Sequence, residues 1–168
     1  LVVVEQKPRR LGFGAEASST DGLRLNGYWL HRNLLGGGER LRLDADITGI
    51  GAQDGGADYA LGPRIDRPAT LSPDTSGWLE TRLERQQGED FDSNLARFGL
   101  GFDHVFSDRL TGSIGMSYLA TRETDAAGTT DFRLAELPVK ATWDNRDTPL
   151  DATRGIYLDA TAMPFLGF

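Results

Sequence analysis

The sequence predicts an all-β chain, an antiparallel run of up-and-down strands of the kind that closes into a barrel. Three observations predict it. Apolar and polar residues alternate with a period of two, in segments of roughly 8–13 residues that recur along the chain. Between those segments lie glycine-rich reversals, drawn from 21 glycines in 168 residues. The polar sides of the segments set Arg and Asp at adjacent inward positions, which a wet lumen accommodates.

At the N-terminus, Leu1–Gln6 (LVVVEQ) is β-branched and does not alternate, so it reads as a strand buried on both faces. Lys7-Pro8-Arg9-Arg10 breaks it. Leu11–Ser18 alternates Leu11, Phe13, Ala15 and Ala17 against Gly12, Gly14, Glu16 and Ser18. Its small side chains suit weak pairing; equally, Gly12 and Gly14 can relieve crowding in a curved sheet. Gly22–Ile50 is a hairpin around the glycine turn Asn33–Glu39. Its second strand sets Leu41, Leu43, Ala45 and Ile47 against Arg42, Asp44, Asp46 and Thr48. Tyr59–Asp66 alternates too, and Pro63 marks an edge or a bulge in it. Trp78–Arg85 fits poorly, because Trp78 shares a face with Glu80, Arg82 and Glu84. Leu95–Phe106 and Leu110–Arg122 carry the strongest patterns. Phe132–Trp143 comes next, with a bulge expected at Pro138, and then the turn Asp144–Gly155. Ile156–Ala162 is the last segment, for about nine in all.

Composition narrows the function. A net charge of −7 argues against nucleic acid. There is no cysteine, and no apolar run approaches the ~18 residues of a transmembrane helix, although barrel strands need only ~9–11. The chain begins without Met or a signal-peptide pattern, so it is expected to be a processed protein or a fragment. The alternation alone fits a soluble β-sandwich as well as a membrane barrel. Aromatics near strand ends on the apolar side (Trp29, Phe106, Tyr118) favour the barrel.

Catalytic and metal chemistry find little support, and no cofactor or enzyme activity is expected. His31 and His104 lie on different segments, without ligand spacing. Asp44 and Asp46 form a carboxylate pair, but Arg42 beside them points to neutralisation. Asp54/Asp58 and Glu89/Asp90/Asp92 do not match a calcium loop and read as solvated acids.

Two stretches carry a family resemblance. Arg32–Leu43 (RNLLGGGERLRL) resembles the segment joining the second and third barrel strands of the outer-membrane assembly factors, the BamA/TamA surface-antigen barrels. Trp143–Gly155 (WDNRDTPLDATRG) resembles that family's Asp-x-Arg-Asp turn running into a Pro- and Gly-containing reversal. The opening VVVEQKPRRLGFGAEASSTDG is similar to the junction between the last periplasmic POTRA domain and the barrel, and the TamA-like branch matches better. The residues carrying the turn resemblance are Arg32, Asn33, Leu34, Gly36, Gly38, Glu39, Trp143, Asp144, Arg146, Asp147, Pro149 and Gly155.

The resemblance implies a transmembrane barrel of about sixteen strands, of which 9–168 would be the N-terminal half and 1–8 the last POTRA strand and linker. It implies a bacterial outer-membrane protein that inserts, assembles or translocates other β-barrel proteins, such as autotransporters. Its partners would be outer-membrane lipid, client barrels and a periplasm-spanning protein. It also implies a lateral seam at the first barrel strand, here Leu11, Gly12, Phe13, Gly14, Ala15, Glu16, Ala17 and Ser18. A two-partner-secretion pore, a small autonomous barrel and a soluble sandwich remain as alternatives. The family's Val-Arg-Gly loop and closing strands are not among these residues.

Overall fold

The computed structural model describes residues 7–168. The expectation for Leu1–Gln6 lies outside the described residues. Beyond Lys7-Pro8 the chain forms one antiparallel sheet of eleven strands. They are β1 (Arg9–Ser18), β2 (Gly22–Arg32), β3 (Arg40–Ile50), β4 (Asp58–Arg67), β5 (Thr75–Gln87) and β6 (Phe91–Ser107). They continue with β7 (Leu110–Asp125), β8 (Gly128–Glu136), β9 (Val139–Asp144), β10 (Tyr157–Ala162) and β11 (Phe165–Gly167).

Each strand from β1 to β7 pairs with the next, as short reversals dictate. The sheet is open rather than closed. Among the described residues the outer edge of β1 has no partner strand, and neither does the outer edge of β10 and β11.

Eleven strands make nine runs, because β8 and β9 lie end to end along β7, and β10 and β11 lie end to end along them. Prolines cause both interruptions. Leu137-Pro138 separates β8 from β9, and Met163-Pro164 separates β10 from β11, directly alongside. Pro138 has no N–H to donate, yet its carbonyl still accepts from Gly115 N at 2.9 Å. The Pro164 carbonyl accepts from Leu137 N at 2.9 Å. The single strand Phe132–Trp143 is therefore corrected to two collinear strands. No residue is inserted at Pro138: Gly115 and Met116 face Leu137 and Pro138 two for two. Pro63 also behaves differently from expectation. Strand β4 runs through it inside the sheet, because the pairing with β5 lapses at Gly62 and Pro63 and no ladder N–H is required there.

Directly paired residues share a face, so the registers define two surfaces. One is apolar: Leu11–Trp29–Leu43–Pro63 is one row, Leu79–Leu100–Met116 another, and Phe102–Ile114–Val139 a third. The other is polar: Glu16–Arg24, Tyr28–Asp44, Arg64–Glu80, Arg82–Arg97 and Ser117–Glu136 are paired on it.

Burial is inverted with respect to a water-soluble sheet. Phe13 is 90% exposed, Met116 62% and Leu100 43%, whereas Ser117 and Glu136 are buried. Among the described residues only Leu30 and Leu119 are buried apolar side chains, and both belong to the polar surface. The interior of this fold is the polar side.

Candidate functional site: a free edge and a charged inner face

Among the described residues strand β1 is held on one side only. It pairs with β2 at every residue from Arg9↔His31 to Ser18↔Gly22. Its glycines serve its neighbour. A Cβ at Gly12 would overlap the Tyr28 ring, and one at Gly14 would lie 2.7 Å from Asn26 Oδ1. Tyr28 and Asn26 thus fold over β1 at positions where only glycine leaves space, and Arg42 stacks on Tyr28 at 4.5 Å. The geometry favours relief of crowding over weak pairing as the role of Gly12 and Gly14. On the other surface Leu11 and Phe13 are open. The unpaired backbone edge of β1 stays available for strand addition.

The two resemblance-bearing turns lie at the same end of the sheet, since β2, β4, β6 and β9 all finish there. In the first, Asn33, Gly36 and Gly38 all have positive φ. Asn33 Oδ1 accepts from Gly38 N at 2.8 Å. Glu39 folds back into the turn and is buried; its Oε2 accepts from Leu35 N at 3.3 Å and Gly37 N at 3.0 Å. Its own amide, those two amides and the Arg67 guanidinium at 3.8 Å hold the carboxyl below its usual range. Arg32 extends to the Lys7 carbonyl at 3.1 Å. Leu34 makes no polar contact through its side chain.

The second turn is held by two carboxylates. Asp144 takes Arg146 in a fork, Nε at 2.9 Å and Nη2 at 2.8 Å, and accepts from its backbone N at 3.1 Å. Those bonds lower the Asp144 carboxyl to about 2. Arg146 also donates to the Pro149 carbonyl at 2.8 Å and stacks on Tyr157 at 4.6 Å. Asp147 accepts from the Thr153 hydroxyl and from the amides of Thr148, Thr153 and Arg154. Gly155 has φ 101°, and a Cβ there would collide with the Asn145 carbonyl. Trp143 stands apart from this network, on the apolar surface opposite Leu110 and Leu158.

Between the free edge and the turns runs a band of ion pairs on the polar face. Arg42 grips Asp44 at 2.6–2.7 Å, as the expected neutralisation requires, and Arg24 lies 3.7 Å from Asp46. Arg64 bridges Asp66 at 2.9 Å and Glu80 at 2.6 Å. Arg97 reaches Glu136 at 3.3 Å, which also accepts from the Ser117 hydroxyl at 2.6 Å. Arg97 Nε is buried without a partner. Among the described residues the acids weighed as calcium ligands do not form a cluster of three. Asp58 instead staples its loop, accepting from Gln87 N at 2.7 Å.

No family model and no curated protein matches this chain.

Sequence reasoning missed three participants. Trp78 lies on the polar face above Gly99, Gly101 and Gly115, with Arg64 over its ring at 5.0 Å. The poor alternation of Trp78–Arg85 was the signal, because an aromatic among charges needs a recess, and the glycines of β6 and β7 supply one. Glu136, the last residue of β8, was not singled out in the sequence, and it is among the most buried polar side chains of the described residues. His104 donates or accepts at Nδ1 with the Thr75 hydroxyl, 2.8 Å away, and packs edge-on against Phe106.

Proposed function

We propose that this chain forms the N-terminal half of a transmembrane β-barrel of the outer-membrane assembly-factor type, and that the parent protein assembles, inserts or translocates other outer-membrane proteins. The inverted burial carries the reading. Leu, Phe and Met side chains stand exposed on one surface, while Ser117, Glu136 and Glu39 are buried. Lipid on the apolar surface would remove that area from water, at about 25 cal/mol per Å². A sandwich would instead need a second apolar sheet on the same surface. Strands β6 and β7, of 17 and 16 residues, exceed the ~9–11 that a crossing needs.

In this reading β1 is the seam strand. Its free backbone edge pairs with an incoming strand by β-augmentation, and its full ladder to β2 anchors it while it does so. The remainder of the barrel would close against the far edge at β10 and β11. The turns at Asn33–Glu39 and Asp144–Gly155 would face the periplasm, braced by their internal carboxylates.

The test is cross-linking in cells. A photo-reactive residue replacing Ala15, in the full-length protein, should capture a client barrel stalled during assembly. The same residue at Ala45, in the middle of the sheet, should not. Capture at neither position, with the protein inserted and clients assembling normally, would remove β1 from the mechanism.

A further inference from the structure

We infer that the apolar surface of β3–β8 carries a binding site for an anionic, phosphate-bearing lipid, its acyl chains in a groove and its phosphate among three arginines. This rests on the membrane-barrel reading above. The groove has a volume of about 670 Å³, and Ile47, Leu61, Leu83 and Ala120 contribute to its floor. Arg85, Arg122 and Arg133 line the same groove.

Those arginines are unexpected where they stand. One hydrogen-bonded row runs Leu25–Ile47–Tyr59 and then Arg85–Asn94–Arg122–Asp131. The next runs Leu61–Leu83–Ala96–Ala120–Arg133. Apolar residues therefore give way to charge within single rows of the outward surface. Strands tilted by about 35–45° explain the change, because a row then climbs from the hydrocarbon towards the headgroups as it crosses the sheet.

The charge is not balanced locally. Arg122 is held by Asp131, with Nε at 2.8 Å. Arg85 and Arg133 have no acidic partner within salt-bridge distance among the described residues. The next acid on this surface is Asp92, one row further towards the loops. Asp46 and Glu84 also line the groove, but by register their side chains belong to the polar face, where Arg24 and Arg82 pair with them. On the apolar surface three guanidiniums against the Asp131 carboxylate leave an excess of two positive charges beside the groove. That combination fits a phosphate anion attached to hydrocarbon: guanidiniums grip phosphate oxygens in pairs, and the groove covers the chains. A neutral lipid would use the groove and leave the arginines idle.

The experiment is native mass spectrometry of the full-length protein, titrated separately with lipid A, with phosphatidylcholine and with inorganic phosphate. Wild type should retain lipid A in preference to phosphatidylcholine, with inorganic phosphate bound weakly. The double variant Arg85→Gln/Arg133→Gln should lose about thirtyfold in lipid A affinity, and Arg85→Lys/Arg133→Lys should keep most of it. Phosphatidylcholine binding should be the same in all three proteins. Equal lipid A binding by wild type and the Gln variant would overturn the site. Equal binding of lipid A and phosphatidylcholine by wild type would reduce it to a bare apolar groove, and inorganic phosphate binding as tightly as lipid A would reduce it to an anion site. In each of those cases insertion into phosphatidylcholine bilayers would persist. Failure to insert would instead sink the membrane-barrel reading itself.

Discussion

Adding one methyl group beneath Trp78 should separate its glycine bed into tolerant and intolerant positions. A Cβ at Gly101 would sit 2.5 Å from Trp78 Cζ2, 2.5 Å from the Ile114 carbonyl and 2.7 Å from Gly115 Cα. Two of those three neighbours are backbone in a paired strand, so the indole cannot relieve the clash by moving alone. At Gly99 the nearest atoms, on Glu80, Ser117 and Trp78, are all 3.4 Å away, which is ordinary contact. Gly101→Ala should therefore cost about 1–3 kcal/mol, as overpacking does. Gly99→Ala should fall within about 0.5 kcal/mol of wild type, or gain slightly from a stiffer unfolded chain. Trp78→Ala combined with Gly101→Ala should recover only part of the loss, because the Ile114 carbonyl remains in the way. The assay is urea unfolding of the full-length protein in detergent micelles, followed by the shift between folded and heat-denatured mobility on gels. Equal costs at Gly99 and Gly101 would refute the placement of Trp78.

The geometry carries three further expected outcomes. Phe102→Arg on the apolar surface should cost about 2–4 kcal/mol if it lies near the bilayer midplane, while Asp44→Asn, in a half-exposed pair, should cost about 0–1 kcal/mol; unfolding from lipid vesicles measures both. The Asp144 carboxyl is depressed from 3.8 to about 2 by Arg146, so its contribution is complete above about pH 4 and lost as the pH falls through 2. Protection of the Arg146 amide against hydrogen exchange, taken relative to the intrinsic rate at each pH, should fall across that window, and unchanged protection would argue against the Asp144 fork. Ala52→Cys should react with an impermeant thiol reagent on intact cells and Gly37→Cys should not, since the two turns lie at opposite ends of β3; the reverse result would invert the topology.

Much of this sheet was legible because a period of two is a local signal. Leu41–Ile47 and Leu95–Phe106 each declare two faces without help from any other strand, and β3 and β6 form where those segments lie. The turns were legible for a similar reason: positive φ at Gly36 and Gly38 is a demand that the residue itself answers. What could not be read was register. Trp78 rests over Gly101 and Gly115 only because β5, β6 and β7 align in one particular way, and nothing local to Trp78 encodes that. Glu136 becomes a buried partner of Ser117 and Arg97 for the same reason, across separations of 19 and 39 residues. The proline breaks were half legible. Pro138 announced an irregularity, but its alignment with Pro164 depends on strand pairing. For β1 the sequence offered two explanations of Gly12 and Gly14, and the position of Tyr28 on the neighbouring strand favours one of them.

The central claim is that the apolar surface faces lipid and the charged surface faces water. Nitroxide labels placed singly at Ala96, Arg97, Phe98, Leu100, Phe102 and Asp103 of the full-length protein in lipid vesicles test it most directly. Collisions with oxygen, which concentrates in hydrocarbon, should dominate at Ala96, Phe98, Leu100 and Phe102. Collisions with a water-soluble nickel chelate should dominate at Arg97 and Asp103. A profile without that alternation, or one in which the chelate reaches Leu100 and Phe102 as readily as Arg97, would contradict the account.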